Sequence, residues 1–457
     1  MKKSKKKEKG FKIRVTSSME MINPNTAGID IGGNEHWVCV PEDRADKNVR
    51  RFGAFTKDLY AIADWLKACK ITSIAMESTG IYWIPLFQIL EKKKFKVCLV
   101  NARHLKSVAG RTKTDRYDCQ WIQKLHSYGL LSPSFRPNDE TCKLRSLIRH
   151  RDNLISMASK HTQHMQKALH QMNILLSNVV SDITGDTGMK IIKGIAQGEE
   201  RPEVLAENRD PRIKATKEEI IEALRGDYRK EHIFVLKQSL ELYNFVHKQI
   251  SKCDSEVENL LEKMNKKVDR KLCPLPGAVK RRKKPRKNEP SYDLQTYLYE
   301  ITGVDLTRVP GFETTGLQKI VSEVGVDMVK WKTDKHYTSW LGLAPNKEIS
   351  GGKILKEKTK KVQSPAARHF RMAAFSLKHS QSYLGSFYRK IRARSGPSKA
   401  ITATARKLAV IYYHMVRYGL EYIELGADYY IKNYKEIAIK KLKRNAKQLG
   451  FELVSVS

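Results

Sequence analysis

Acidic residues are scarce in this sequence. Its 457 residues hold 49 Asp and Glu against 86 Lys and Arg, a formal net charge of +37 at pH 7. That is more one-sided than a solubilising surface requires, and it points to polyphosphate partners, nucleic acid foremost. Cysteine is sparse and scattered, at 39, 69, 98, 119, 142, 253 and 273. No two form a CxxC, which excludes a zinc ribbon and a thioredoxin-type redox motif. Cys39 and Cys98 sit inside apolar runs and read as small core residues of a reducing compartment. The opening "MKKSKKKEKG" has charge but no apolar h-region, so it does not read as a signal peptide. No apolar run reaches the ~18–20 residues of a membrane span. The expectation is a soluble, cytoplasmic protein with no membrane partner. Hydrophobic residues make up 40% of the chain, enough for a sizeable core. At roughly 100–200 residues per domain, its length allows two to four domains.

Residues 1–22 are Lys-rich without apolar period and read as a disordered basic tail. An alternating pattern follows. "TAGIDIGG" and "EHWVCVPE", separated by Gly and Asn, predict a strand pair. "NVRRFGAF" predicts a third strand, "DLYAIADWLKAC" a helix, "ITSIAMES" a strand, "IYWIPLFQILEKK" a helix and "FKVCLVN" a strand. Three meandering strands, then helix, strand, helix, strand, is the order of an α/β RNase H-like domain, here 23–137.

From Asn138 to Val180 the pattern turns helical. Leu144, Leu147, Leu154, Ala158, Met165, Ala168, Met172 and Leu175 keep a 3-4 spacing that Arg151 and His161 interrupt. A second run, from Tyr228 to Asn265, passes through Leu236, Leu240, Tyr243, Ile250, Val257, Leu261 and Met264. Two long helices with narrow apolar stripes suggest a coiled-coil arm over 138–267; a helical hairpin packed on its own domain is the plainer reading. Between them "KEEIIEALRG" predicts a shorter helix. His161 and His164 have no Cys or acid at ligand spacing and read as a solvated helix face.

A basic linker, 268–292, centres on "KRRKKPRK". Such runs are commonly just solvated, but Lys280, Arg281, Arg282, Lys283 and Lys284 are equally placed to meet phosphates. A second, mainly helical globular unit follows over 293–428, and a basic amphipathic tail over 429–457.

Asp30 is the first residue to raise a chemical question. It lies mid-strand on the side of Gly28 and Gly32, opposite Ile29 and Ile31. Glu77 ends a strand that this fold order places beside it. Asp115 and Asp118, in "TKTDRYDCQWIQKL", stand three apart at a helix start and so share a face. Four convergent carboxylates require a cation, and hard oxygen donors suit Mg²⁺ or Mn²⁺, the ions of two-metal phosphoryl transfer. Each acid alone also has an ordinary reading: a hairpin cap, a surface strand end, a helix N-terminal charge favoured by the dipole. "IDIGG" can also open an actin-like ATPase, but no second Gly-rich phosphate motif follows.

In the later unit, "LTRVPGFETTGLQKIVSEVG" resembles a helix-hairpin-helix, which grips DNA backbone through hairpin amides around Gly311. Glu313 stands where a second glycine is usual. Further on, "SGGK" sets Ser350 before Gly351 and Gly352 on permissive backbone, among Lys353, Lys356, Lys358, Lys360 and Lys361. A serine so placed can attack phosphorus when deprotonated and charge-stabilised, although most such triplets are turns. Arg368 and Arg371, three apart on a predicted helix, are candidate phosphate clamps. Trp331, Tyr337, Trp340 and Tyr388 lie among basic residues and read first as core.

The order GIDIG, MESTG, TDRYD, long helices, VPGF, WLGLAPNKEISGGK and ARHFRMAA resembles the DEDD transposases of the insertion-sequence-110 family. The resemblance spans about 25 to 425. It implies a prokaryotic, nucleoid-associated enzyme with a RuvC-like domain whose metal-binding acids are Asp30, Glu77, Asp115 and Asp118. It implies a dimerising coiled-coil arm and a transposase domain with Ser350 as nucleophile. The composite site joins the acids of one protomer to the serine of another, through a phosphoserine link to DNA, within a tetramer. A structured bridge RNA from the element specifies donor and target DNA by base pairing. RNA-guided selection leaves the protein to bind backbone, which suits a +37 chain. Two other readings stay open: a hydrolytic RuvC-like nuclease in which Ser350 is only a turn residue, and a non-catalytic RNA- or DNA-binding protein.

Overall fold

A computed structural model describes residues 20–78, 80–101, 114–275, 287–360, 362–448 and 450–452. The expectations for residues 1–19, for the stretch Lys280 to Lys284 and for Lys361 lie outside the described residues. The chain divides into two compact units, Met1–Arg136 and Pro137–Ser457.

The first unit is α/β. Its strands are β1 (Thr26–Ile31), β2 (Glu35–Cys39), β3 (Val49–Gly53), β4 (Ser73–Glu77) and β5 (Lys96–Val100), and its helices α1 (Thr56–Ala68), α2 (Trp83–Lys92) and α3 (Asp115–Ser127). The sheet order is β3-β2-β1-β4-β5. β1, β2 and β3 are antiparallel neighbours, while β4 and β5 run parallel to β1 and to each other. Strict alternation explains how both faces are covered. Ile29, Ile31, Ile74, Met76 and Leu99 face α1 and α2, where Ile62, Leu66, Leu86 and Leu90 complete the main core. Full burial of each such side chain contributes about 1.5–3 kcal/mol, and truncating Leu90 to Ala would cost about 2–5 kcal/mol. Ala75 and Val100 face the other way, against Ile122 and Leu125 of α3. Cys39 is buried and Cys98 half-buried, both as free thiols.

The second unit is mostly helical. Its helices are α4 (Asp139–Gln171), α5 (Leu176–Val179), α6 (Asp186–Ala196), α7 (Pro202–Ala206), α8 (Lys217–Leu224), α9 (Lys230–Lys263), α10 (Leu294–Thr302), α11 (Thr314–Val324), α12 (Asp334–Trp340), α13 (Pro365–Ser376), α14 (Tyr383–Ser395), α15 (Pro397–Tyr418) and α16 (Gly426–Gln448). A two-stranded hairpin, β6 (Pro345–Ser350) with β7 (Lys353–Thr359), interrupts them.

α4 and α9 pack along one another in antiparallel sense, with Leu147 and Arg151 beside Cys253 and Asp254, and Met172 beside Asp227. α4 stops before the expected Val180. Asn173 takes a left-handed φ of 57°, which Asn tolerates, and the Asp227 amide donates to the Met172 carbonyl at 2.8 Å. Arg151, which interrupts the apolar spacing, is buried: its Nε donates to Asp254 Oδ1 at 2.5 Å and its Nη2 to Oδ2 at 3.2 Å. Beside Arg151 in the sequence of α4, Arg149 grips Glu323 of α11 bidentately at 2.8 and 2.9 Å, and Lys319 pairs with Asp152 at 2.7 Å. The long helices are therefore tied to the helices that follow them. Trp331, Tyr337 and Tyr388 are buried; Tyr337 stacks on Tyr412 and Tyr413 and meets Phe370 edge-on. Those aromatics are core.

Candidate active site

In the first unit, β1 places Asp30 through a close approach of α3. A Cβ built on Gly28 would lie 2.3 Å from both the Cys119 carbonyl oxygen and the Gln123 nitrogen. Only glycine lets α3 lie this near the strand. Asp30, two residues on, shares that face. The parallel register pairs Ile29 with Met76, so Asp30 and Glu77 are the next residues on adjacent strands, on the α3 side.

Two hydrogen bonds fix the direction of α3. Gln123 Nε2 donates to Thr26 Oγ1 at 3.3 Å, and the His126 ring Nε2 meets Ser73 Oγ at 2.8 Å. Both lie at the amino ends of β1 and β4. The N-terminal turn of α3, with Asp115 and Asp118, therefore sits at the carboxyl ends, where Asp30 and Glu77 are. Thr114 caps that turn by accepting from the Tyr117 amide, and acids there are favoured by the helix dipole. Asp115 is exposed, while Asp118 is half-buried with its Oδ1 shielded from solvent. Asp30 acts electrostatically on Cys119, whose thiol is pushed well up by its Cys39 neighbour, by burial and by that charge. The Cys119 thiol stays protonated and adds no thiolate to the oxygens of Asp30, Glu77, Asp115 and Asp118.

The structure thus gathers Asp30, Glu77, Asp115 and Asp118 at one end of the sheet. Among the described residues, no three His, Cys, Asp or Glu side chains stand close enough to hold one metal ion. The donor chemistry fits a hard divalent cation; the spacing is wider than coordination requires.

Sequence reasoning did not single out Trp37 or Tyr82. Trp37 is the register partner of Asp30 across β2, and its Nε1 donates to Glu35 Oε1 at 3.0 Å. Counting back from the Gly-Asn turn would have found it.

In the second unit, Ser350 ends β6 and pairs with Lys353 across Gly351 and Gly352. The two glycines have φ of 53° and 76°, the left-handed pair of a type I′ turn. A Cβ on either would meet nothing within 4 Å. Ser350, Gly351, Gly352 and Lys353 are all exposed at this tip, and Lys356 lies further along β7. β7 carries one extra residue where Glu348–Lys356 pairing gives way to Ile349–Ile354. Such a bulge re-aims the strand end.

Arg368 is exposed on α13, whereas Arg371 is half-buried and directs Nη2 at the Gly342 carbonyl, 3.5 Å away. Gly311, with φ of 90°, lies where a Cβ would come 2.7 Å from the Ala373 carbonyl; the turn is seated on α13. Glu313 immediately precedes α11. His369, buried on α13, is held down to about 4 by burial and by Lys319 and Arg368. It is neutral near pH 7.

Comparisons with known families agree with these two halves. Residues 27–174 match a transposase model, the DEDD transposases of the IS110 group. Residues 305–389 match the transposase model of the IS116/IS110/IS902 family. The first span holds Asp30, Glu77, Asp115 and Asp118; the second holds Gly311, Ser350, Arg368 and Arg371. No curated protein matches the chain. The protein belongs to the IS110 family of DEDD transposases, and DNA is its substrate class. No helix among the described residues is long and apolar enough to cross a membrane.

Proposed function

We propose that this transposase excises and inserts its element by RNA-guided, serine-mediated strand exchange. The observation that carries the reading is the gathering of Asp30, Glu77, Asp115 and Asp118 at the carboxyl ends of β1 and β4, in a chain whose second matched span presents an exposed Ser350. The strand order 3-2-1-4-5, antiparallel then parallel, supports an RNase H-like assignment for the first unit. The α4–α9 pair supports the arm used for dimerisation, and a partner protomer supplies the serine within a tetramer.

The four acids would hold Mg²⁺ or Mn²⁺, which supplies charge neutralisation and polarisation of a phosphate oxygen. Asp30 and Glu77, on the rigid sheet, set where a scissile phosphate is received. Asp115 and Asp118 close on it from the capped turn of α3. Ser350 Oγ attacks phosphorus, its proton is taken by a base and delivered to the departing DNA oxygen, which leaves as a hydroxyl, and a phosphoserine remains. Attack by a second strand's hydroxyl reverses the link and restores the serine. Gly351 and Gly352 give the hydroxyl access, and Lys353 with Arg368 lies ready for phosphate oxygens. Sequence choice belongs to the element's bridge RNA, which frees a +37 chain to bind backbone. The basic stretch Lys280 to Lys284 is part of that backbone binding.

The test is nicking of DNA carrying the element's ends, with the RNA present, against Mg²⁺ concentration. Wild type should nick only with the metal. Asp30→Asn and Glu77→Gln should lose at least a hundred-fold in rate with folding unchanged. Metal-independent nicking, or full activity in both variants, would refute the assignment.

A further inference from the structure

The end of the sheet that gathers the acids is also aromatic. Ile81, Tyr82 and Tyr117 are 71%, 55% and 54% exposed. Single exposed apolar residues need no explanation, but Ile81 and Tyr82 lie in the loop after β4 and Tyr117 in the first turn of α3, so all three belong to the acid end. Gly33 follows Asp30 by three residues and Gly80 follows Glu77 by three. The Tyr82 ring lies against both: a Cβ on either glycine would sit 3.6 Å from its carbons. The ring is thus bordered by glycine positions of the β1–β2 turn and of the loop after β4. More than half of the residue remains in solvent. Tyr82 immediately precedes α2, which fixes its backbone, and Trp83 is anchored there by its Nε1 bond to the Gly80 carbonyl at 3.2 Å. Tyr117 lies between Asp115 and Asp118 on the opposing turn, next to exposed Arg116.

We propose that Tyr82 is a base-stacking site, receiving an unpaired DNA base at the carboxyl ends of β1 and β4. Its placement beside the reacting strand rests on the acid assignment above. Strand cleavage and exchange expose unpaired bases, every base has a π-face, and an aromatic ring bordered by glycine positions offers a platform of low ordering cost. Phosphates on either side of that base would lie toward Arg116 and the acids. Tyr82 is a positioning residue in this account, since it meets the strand and not the reacting phosphate.

The test compares the affinity of the full-length protein for oligothymidylate and for an abasic strand of equal length. Both carry the same phosphates, so a general structural fault would weaken both alike. Wild type should prefer oligothymidylate. In Tyr82→Ala that preference should shrink by roughly five-fold to a hundred-fold, the range of base–aromatic stacking, with abasic binding unchanged. Tyr82→Phe and Tyr82→Trp should retain it, which keeps the test decisive if the alanine variant is poorly folded. Equal weakening of both strands, or an undiminished preference in Tyr82→Ala, would overturn the proposal. Asp30→Asn should keep the preference while losing nicking. Retained nicking in Asp30→Asn would remove the acid assignment alone, so the two failures are told apart.

Discussion

Gly28→Ala tests how the fold positions the candidate site. The added Cβ would lie 2.3 Å from the Cys119 carbonyl oxygen and from the Gln123 nitrogen. Both are backbone atoms of α3, so no side chain can rotate away. Reaching ordinary contact at about 3.4 Å requires α3 and β1 to part by about 1 Å. Overpacking of this kind costs about 1–3 kcal/mol. The functional effect should be larger than the stability effect, because Asp118 immediately precedes Cys119 and moves with it relative to Asp30. A misplacement of about 1 Å can lower a rate by about a hundred-fold. The assay is single-turnover nicking at saturating Mg²⁺, beside thermal melting of the same preparation. The expected result is a folded protein, modestly destabilised, with nicking down by about two orders of magnitude. A variant that melts lower yet nicks at the wild-type rate would refute the reasoning, since α3 would then not be setting the acids.

Asp254→Ala leaves the Arg151 guanidinium buried without its carboxylate and should cost about 3–5 kcal/mol in urea unfolding. Replacing both by apolar residues, Arg151→Met with Asp254→Leu, should recover most of that loss; an unaltered midpoint in Asp254→Ala would contradict the buried-pair account. Gly351→Val and Gly352→Val force a β-branched residue to positive φ, at about 1–2 kcal/mol each. They should abolish DNA linkage with at most a small fall in melting temperature, because an added Cβ at either position meets nothing within 4 Å and the exposed tip can relax locally; retained linkage would count against the Ser350 assignment. His369 is held down to about 4, below its unfolded value of about 6.5. The unfolded state then binds more protons between those values, so its contribution is complete above pH 6.5 and is lost as pH falls toward 4. His369→Gln should flatten the stability profile over that window, measured by urea unfolding at stepped pH; an unchanged slope would contradict the assignment.

The sheet of the first unit was legible because its strands obey simple rules. Ile29, Ile31, Ile74 and Met76 alternate with small or acidic partners, and Gly32, Gly33 and Asn34 mark the turn. The positions of the four acids at one end of the sheet were legible for the same reason: alternation assigns Asp30 to a face, and a three-residue step joins Asp115 to Asp118. That α3 presses on Gly28 was not, since nothing local distinguishes a close-approach glycine from a flexible one. The β6–β7 hairpin was missed within a unit expected to be mainly helical. Nearly all of its described side chains are exposed, so no buried face imposes a period; only the Gly-Gly pair marks the turn. Arg151 read as an interruption because its partner, Asp254, is 103 residues away. Gly311 suggested amides offered to DNA, whereas its visible constraint is the seat on Ala373.

The central claim is that Ser350 becomes bonded to DNA. The direct measurement is to trap the reaction of protein, element RNA and labelled DNA with Mg²⁺, digest it with trypsin, and identify the DNA-linked peptide by mass spectrometry. The account expects one adduct, on the peptide bearing Ser350, absent from Ser350→Ala and from Asp30→Asn. Cleaved DNA with free ends, no adduct, and full cleavage by Ser350→Ala would mean that water is the nucleophile and that the serine is a turn residue.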